Sequence, residues 1–353
     1  MNDTSQMSDP VDEAISDLTS RRRSRQEAGH ERLLQMSDPD SLWHDALLQR
    51  LDELLAHKNA QVRGSAYLAL ANAAGEGALS TLLEHLDESE GDARLDLVEA
   101  LSMAGRPAWP TLEKFLGDEL FEIRFAAAGG LIESGHARCY DVLREGLGFD
   151  DTRYLALSGL YRLGDRRALT PARAIFGKLF VSGFERVAAA GVLAKLGESD
   201  GRRFLIDRAE RRRGLERGLA IEILGELKVA EAFDALLLSL RDQRDPFRGA
   251  SARSLGSLGR AEALEPLKAI LLDAGEDPEL RMDAAEGLMN LGTAEARDVL
   301  QSARATLSAS ESEGASSEEL LAVIDEALSH FGAADVASAS EVDAAGADRR
   351  EDK

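Results

Sequence analysis

The amino-acid sequence predicts an all-α protein that grows as a stack of helical hairpins, and three observations lead there. A skeleton of Arg, a small residue three places on, Leu seven places on and Gly eleven places on recurs as RFAAAGGLIESG, RVAAAGVLAKLG, RGASARSLGSLG and RMDAAEGLMNLG. The apolar fraction of 44% is carried mainly by Ala and Leu, with 5% aromatic residues and 8 prolines, which suits closely packed helices better than pleated strands. A chain of 353 residues exceeds the usual size of one core, so it must split into domains or lengthen as a stack, and the repeat favours the stack.

The elements follow in chain order. Residues 1–40 mix charges around RRRSR with few apolar anchors, so a mobile segment with a frayed helix after Asp9-Pro10 is expected. The array then occupies 41–306. Its register is set by Arg63, Arg94, Arg124, Arg153, Arg186, Arg217, Arg248 and Arg281, spaced 31, 30, 29, 33, 31, 31 and 33 residues apart. Seven places after each stands a leucine: Leu70, Leu101, Leu131, Leu160, Leu193, Leu224, Leu255 and Leu288. A period near 31 residues has the size of one helical hairpin.

Within each unit the second helix begins near the arginine, because offsets +3, +7 and +10 fall on one face at helical spacing. Glycine at +11 (Gly105, Gly135, Gly164, Gly197, Gly259, Gly292) supplies the left-handed residue that ends a helix. Two units depart, with Ala74 followed by Gly75, and with Lys228, where LGELKVAEA suggests a longer or differently ended helix. First helices are carried by runs such as LLQRLDELL, STLLEHL, DALLLSL and EPLKAILL, with apolar stripes at helical spacing. RDQRDPF and AGEDPEL turn the chain, and Pro246 and Pro278 are expected to open second helices. After the array, 307–315 reads as a linker, and 316–332 as a capping helix with Ser316 and Glu319 at capping-box spacing. The acidic tail 333–353 is expected to be disordered.

The Arg, Leu and Gly positions resemble those of the HEAT repeat, in particular the short HEAT-like repeats of phycobilisome lyases, over roughly residues 48–300. The resemblance implies an α-solenoid of about eight HEAT-like hairpins, a right-handed α-α superhelix, of a kind that mostly supplies binding surfaces for other proteins. It also implies that the arginine series is a structural ladder reaching acidic or carbonyl groups between hairpins.

Charge and motifs bound the chemistry. The net charge of −22 opposes whole-molecule attraction to nucleic acid or anionic membrane. No segment has the run of about 18 apolar residues that a membrane span requires, and the N-terminus lacks a signal peptide's pattern, so a cytoplasmic protein is expected. The lone Cys139 lies in a helical pattern and reads as a small buried apolar residue. His30, His44, His57, His85, His136 and His330 are scattered and never form an i, i+4 pair, so neither a metal nor another cofactor is expected. Deoxyhypusine hydroxylase, a HEAT-like enzyme, binds iron through repeated His-Glu dipeptides, whereas here the dipeptide occurs once, at His30-Glu31, outside the array. There is no phosphate loop, nucleophile elbow or dinucleotide fingerprint, and the sequence shows no enzyme.

Two surfaces stand out. From Arg153 to Arg217 fifteen Lys and Arg face seven Asp and Glu, and the edge residues Arg202, Arg203, Arg211, Arg212 and Arg213 fall near hairpin tips. The second surface is an expected concave stripe at offsets +1 and +8, namely Leu95, Phe125, Ile132, Tyr154, Tyr161, Val187, Met282 and Met289, with Glu99, Glu222, Glu286 and Arg253 at +5. The expected function is that of a non-catalytic scaffold or adaptor that binds another protein or peptide along that stripe. Two alternatives are a subunit of a bilin-lyase-like or chaperone-like enzyme and nucleic-acid binding through the basic edge at 153–217.

Overall fold

The computed structural model describes residues 9–86, 91–211, 213–309 and 317–331, and among them every regular element is a helix. The chain divides into two compact units, Met1–Ala168 and Leu169–Lys353. The first unit holds α1 (Pro10–Leu18), α2 (Arg23–Ser37), α3 (His44–Leu55), α4 (Ala60–Ala74), α5 (Leu79–Glu84), α6 (Asp92–Met103), α7 (Trp109–Phe115), α8 (Phe121–Gly130), α9 (Ala137–Gly146) and α10 (Arg153–Leu163). The second holds α11 (Leu169–Phe176), α12 (Gly183–Lys195), α13 (Ser199–Glu210), α14 (Glu216–Glu226), α15 (Phe233–Arg241), α16 (Arg248–Ser257), α17 (Leu264–Leu272), α18 (Pro278–Leu291), α19 (Ala294–Ala309) and a last helix α20 over 317–331. The chain is an all-α array of hairpins.

All eight arginines of the repeat lie in second helices: α4, α6, α8 and α10 in the first unit, α12, α14, α16 and α18 in the second. Their +7 leucines are fully buried from Leu101 to Leu288, and only Leu70 is half-buried. The +3 residues are buried in every repeat, Ser251 included. Second helices pack on second helices, α2 on α4, α4 on α6 and α6 on α8 in the first unit, and α12 on α14, α14 on α16 and α16 on α18 in the second. That seam is made close by small residues. A Cβ on Gly225 would stand 2.6 Å from the Cβ of Ser254, and one on Gly130 would stand 2.5 Å from the Ser102 hydroxyl. Each contact joins offset +8 of one repeat to offset +6 of the next.

Every +11 glycine of the array takes a positive φ. Lys228 does so too, at 51°, so of the two expectations for this unit α14 is differently ended and not longer; it stops at Glu226 with a lysine in the conformation its sister repeats give to glycine. Pro278 opens α18 behind the capping side chain of Asp277, whereas Pro246 lies in the turn before α16 and opens nothing.

The N-terminal segment also departs from expectation. Residues 10–18 and 23–37 are helices that bury Val11, Ala14, Leu18, Leu33 and Met36. Few apolar anchors suffice because Gly29 lets the pair approach: a Cβ there would stand 2.8 Å from the Ala14 carbonyl oxygen. Asp9 caps α1, and Arg50 of α3 reaches Asp9 at 2.9 Å and Asp12 at 3.0 Å, which ties the pair to the array. At the other end α20 buries Leu320, Ile324, Ala327 and Phe331, with an ion pair from Arg304 to Asp325 at 2.5 Å. The expected linker beyond 309, Ser316 and the tail lie outside the described residues.

Candidate interaction surfaces

The arginine series is engaged with backbone and carboxylates. Among the described residues seven of the eight donate to carbonyls that precede their own helix: Arg63 to His57, Arg124 to Asp118 and Glu119, Arg153 to Leu147, Arg186 to Lys178 and Leu179, Arg217 to Ala209, Arg248 to Leu240 and Arg281 to Leu271. Several also reach a carboxylate of the following hairpin, as Arg94 does to Asp118 at 2.6 Å, Arg217 to Asp245 at 2.6 Å and Arg248 to Glu276 at 2.6 Å. Since the last carbonyls of a helix lack partners within it, these bonds fix each hairpin tip.

The stripe at +1 and +8 divides. Val187 is fully buried, and Ile132 and Tyr161 are each only 8% exposed. At about 100° per residue, +1 and +8 flank the exposed face and turn toward the neighbouring second helix, while +5 points opposite the core. Ile132 accordingly rests against Gly159 of the next repeat. These three serve packing, which corrects their reading as partner-binding residues. Leu95, Phe125, Met282 and Met289 are half-buried, and Tyr154 is exposed.

The face that does reach solvent is acidic. In the second unit Arg253 lies among Glu222 at 3.7 Å, Glu286 at 3.8 Å and Asp283 on three successive second helices. In the first unit Asp96 and Glu99 project from α6, and burial, helped by the like charges of Glu99 and Asp92, pushes the Asp96 carboxyl up to about 7.

Sequence reasoning missed the apolar residues at the tips. In the first unit Phe121 stands 5.4 Å from Phe125 and 4.7 Å from Phe149, centroid to centroid. Phe149 is 48% exposed, Leu120, next to Phe121 in the chain, 53%, and Leu155, beside Tyr154 in the first turn of α10, 57%. In the second unit Leu179 is 85%, Phe180 96% and Leu215 77% exposed. A signal was present in the loop runs DELFE, GFDD and GKLFVSGF, where turns carry Phe and Leu instead of polar residues.

Of the basic edge, Arg202, Arg203, Arg211 and Arg213 are exposed, and Arg212 lies outside the described residues. Histidines take local roles: His136 caps α9, His30 meets the Ser65 hydroxyl at 2.9 Å, and His85 packs on Tyr67. Among the described residues no three His, Cys, Asp or Glu side chains could hold a metal ion, and no helix is long and apolar enough to cross a membrane.

A family model of HEAT repeats matches residues 202–276 and 237–320. Residues 202–320 carry HEAT repeats. No curated protein matches this chain. Among solved structures, human deoxyhypusine hydroxylase aligns at 18% identity over 74% of this chain and 99% of its own, with a TM-score of 0.31. The CpcE–CpcF phycocyanin lyase of Nostoc sp. PCC7120 aligns at 16% identity over 93% of this chain and 97% of its own, TM-score 0.35. A Kap95p–RanGDP structure aligns at 13% identity, TM-score 0.40, over 91% of this chain and 49% of its own.

Proposed function

We propose that this HEAT array is a non-catalytic scaffold that binds another protein, and that the primary contact is the aromatic and aliphatic patch of the first unit. The observation that carries the reading is the ring cluster of Phe121, the exposed Phe149 and the half-buried Phe125, with exposed Leu120 next to Phe121 in the chain and exposed Tyr154 and Leu155 in the first turn of α10, just after Phe149. Contiguous exposed apolar side chains of this size are rare on a surface that faces only water, and aromatics dominate the affinity of protein interfaces. Arg124 and Arg153 hold the two tips by bonds to Asp118, Glu119 and Leu147, so the patch is displayed on a fixed frame. The arginine series therefore supports the surface from behind. Of the expected stripe, Phe125 and Tyr154 belong to this patch, and the half-buried Leu95, Met282 and Met289 do not.

The test is affinity purification with mass spectrometry from the native source, comparing wild type with Phe149→Ala combined with Leu155→Ala. Loss of specific partners by a variant with an unchanged helical signal is expected. Identical capture by both proteins would remove the patch from consideration.

A further inference from the structure

The second unit carries a separate surface of different chemistry. The tip between α11 and α12 presents Leu179 and Phe180, and the tip between α13 and α14 presents Leu215, each largely in solvent. The two tips are neighbours, because a Cβ on Gly183 would stand 2.8 Å from the Glu216 carboxyl carbon and one on Gly214 would stand 2.6 Å from its oxygen. Neither is loosely held. Arg186 donates to the Lys178 carbonyl at 2.7 Å and to that of Leu179 at 3.3 Å, Ser182 and Glu185 close a capping box on α12, and Arg208 pairs with Glu216 at 2.9 Å.

Charge surrounds these side chains with one dominant sign. Lys178, Arg211 and Arg213 are exposed, and among the described residues no carboxylate pairs with any of them. Of the carboxylates on the two tips, Glu185 is committed to its cap and Glu216 to Arg208, while Glu210 lines a hollow with Asp234, Asp242 and the Arg217-bound Asp245.

We propose that this pair of tips docks an acidic amphipathic segment of a partner protein, whose apolar side chains receive Leu179, Phe180 and Leu215 while its carboxylates meet Lys178, Arg211 and Arg213. Apolar knobs need an apolar counterface, and the cations around them select carboxylates at its rim. A short segment feels the local field, since charges beyond about 8 Å are screened at physiological salt, whereas an anionic membrane would also meet the chain's charge of −22. This surface stands independently of the aromatic patch in the first unit.

The experiment uses the full chain and two fluorescent synthetic helical peptides, one with a leucine stripe edged by Glu, the other its isomer with Lys for Glu, read by anisotropy. Vesicles of phosphatidylcholine with phosphatidylserine form a third arm, read by co-sedimentation. The Glu peptide is expected to bind at least about tenfold more tightly than the Lys peptide. Leu179→Ser with Phe180→Ser should weaken it by about fivefold or more, and Arg211→Glu with Arg213→Glu should shift preference toward the Lys peptide. Phe149→Ala with Leu155→Ala should bind the Glu peptide as wild type does. The proposal is overturned by equal binding of the two peptides, by no binding, by tip variants that bind unchanged, or by vesicle binding in place of peptide binding.

Discussion

Gly256 of α16 lies directly on the carbonyl oxygen of Gly287 of α18, so that a Cβ on Gly256 would stand 1.9 Å from that oxygen. Backbone cannot give way as a side-chain tip can, and Gly256→Ala must force the two helices apart. Its expected cost is about 2 kcal/mol or more. Gly129, also in a second helix, has open space where its Cβ would go, and Gly129→Ala should be neutral or stabilising by up to about 1 kcal/mol. Thermal melts of the two variants give opposite signs if the seam is as close as described.

The +6 and +8 seam marks where legibility in the sequence ends. Arg, Leu and Gly at fixed offsets place every second helix of the array, because one face of a helix must bury at 3.6-residue spacing. Which flank of that helix meets the next hairpin depends on how near two backbones come, and Gly256 against Gly287 or Ile132 against Gly159 has no one-helix signature. Tyr161 and Val187 were therefore read as surface. The N-terminal pair was hidden for the same reason, since Gly29 creates its contact without any long apolar run. The tip residues Phe149 and Phe180 give no such signal, because a loop has no helical face whose spacing would mark an apolar side chain as exposed.

Arg217 and Asp245 form a buried pair whose side chains are 4% and 6% exposed, with the Asp245 carboxylate also accepting from Ser239 at 2.9 Å and from the Phe247 N–H at 2.9 Å. Arg217→Met leaves that carboxylate buried without its cation and should cost about 3–5 kcal/mol. Replacing both, Arg217→Met with Asp245→Leu, should recover most of the loss. Burial alone would raise the Asp245 carboxyl, but the bonds from Arg217, Phe247 and Ser239 outweigh it and hold it below the ordinary range. Its contribution is therefore present above the unfolded value near 4 and lost as pH falls below it, which urea titrations at stepped pH will show.

Asp96 behaves in the opposite sense. With its folded value near 7 against an ordinary 3.8, the folded chain binds more protons than the unfolded chain between those limits. Stability from this group is full below about 4 and declines as pH rises through 7. Asp96→Asn should stabilise at pH 8 by on the order of 2–4 kcal/mol and have little effect at pH 4. Equal effects at both pH values would show that the carboxyl titrates normally.

Lys228 holds a φ of 51° without the freedom of glycine. Lys228→Gly should relieve that strain and stabilise by about 0.5–1 kcal/mol, whereas Lys228→Val should destabilise, because a branched Cβ fits the left-handed region worse than lysine does. Differential scanning calorimetry can resolve the order Gly, Lys, Val.

Tyr154 and Tyr161 lie on one helix, α10, seven residues apart, and the structure gives them different work. Tyr161 is 8% exposed, so Tyr161→Ala removes a buried ring from α10 and should cost about 3 kcal/mol or more. Tyr154, 36% exposed beside Leu155, contributes to the aromatic patch, so Tyr154→Ala should leave the melt within about 1 kcal/mol of wild type. In partner capture the order reverses. Tyr154→Ala should weaken binding by about 1–2 kcal/mol in a protein that is otherwise intact, because an interface aromatic loses its contact without disturbing the core. Tyr161→Ala, assayed well below its lowered melting temperature, should capture the partner nearly as well as wild type. If instead Tyr161→Ala abolishes capture at full helicity while Tyr154→Ala does not, the partner depends on the buried flank of α10 and the proposed patch is only a solvated tip.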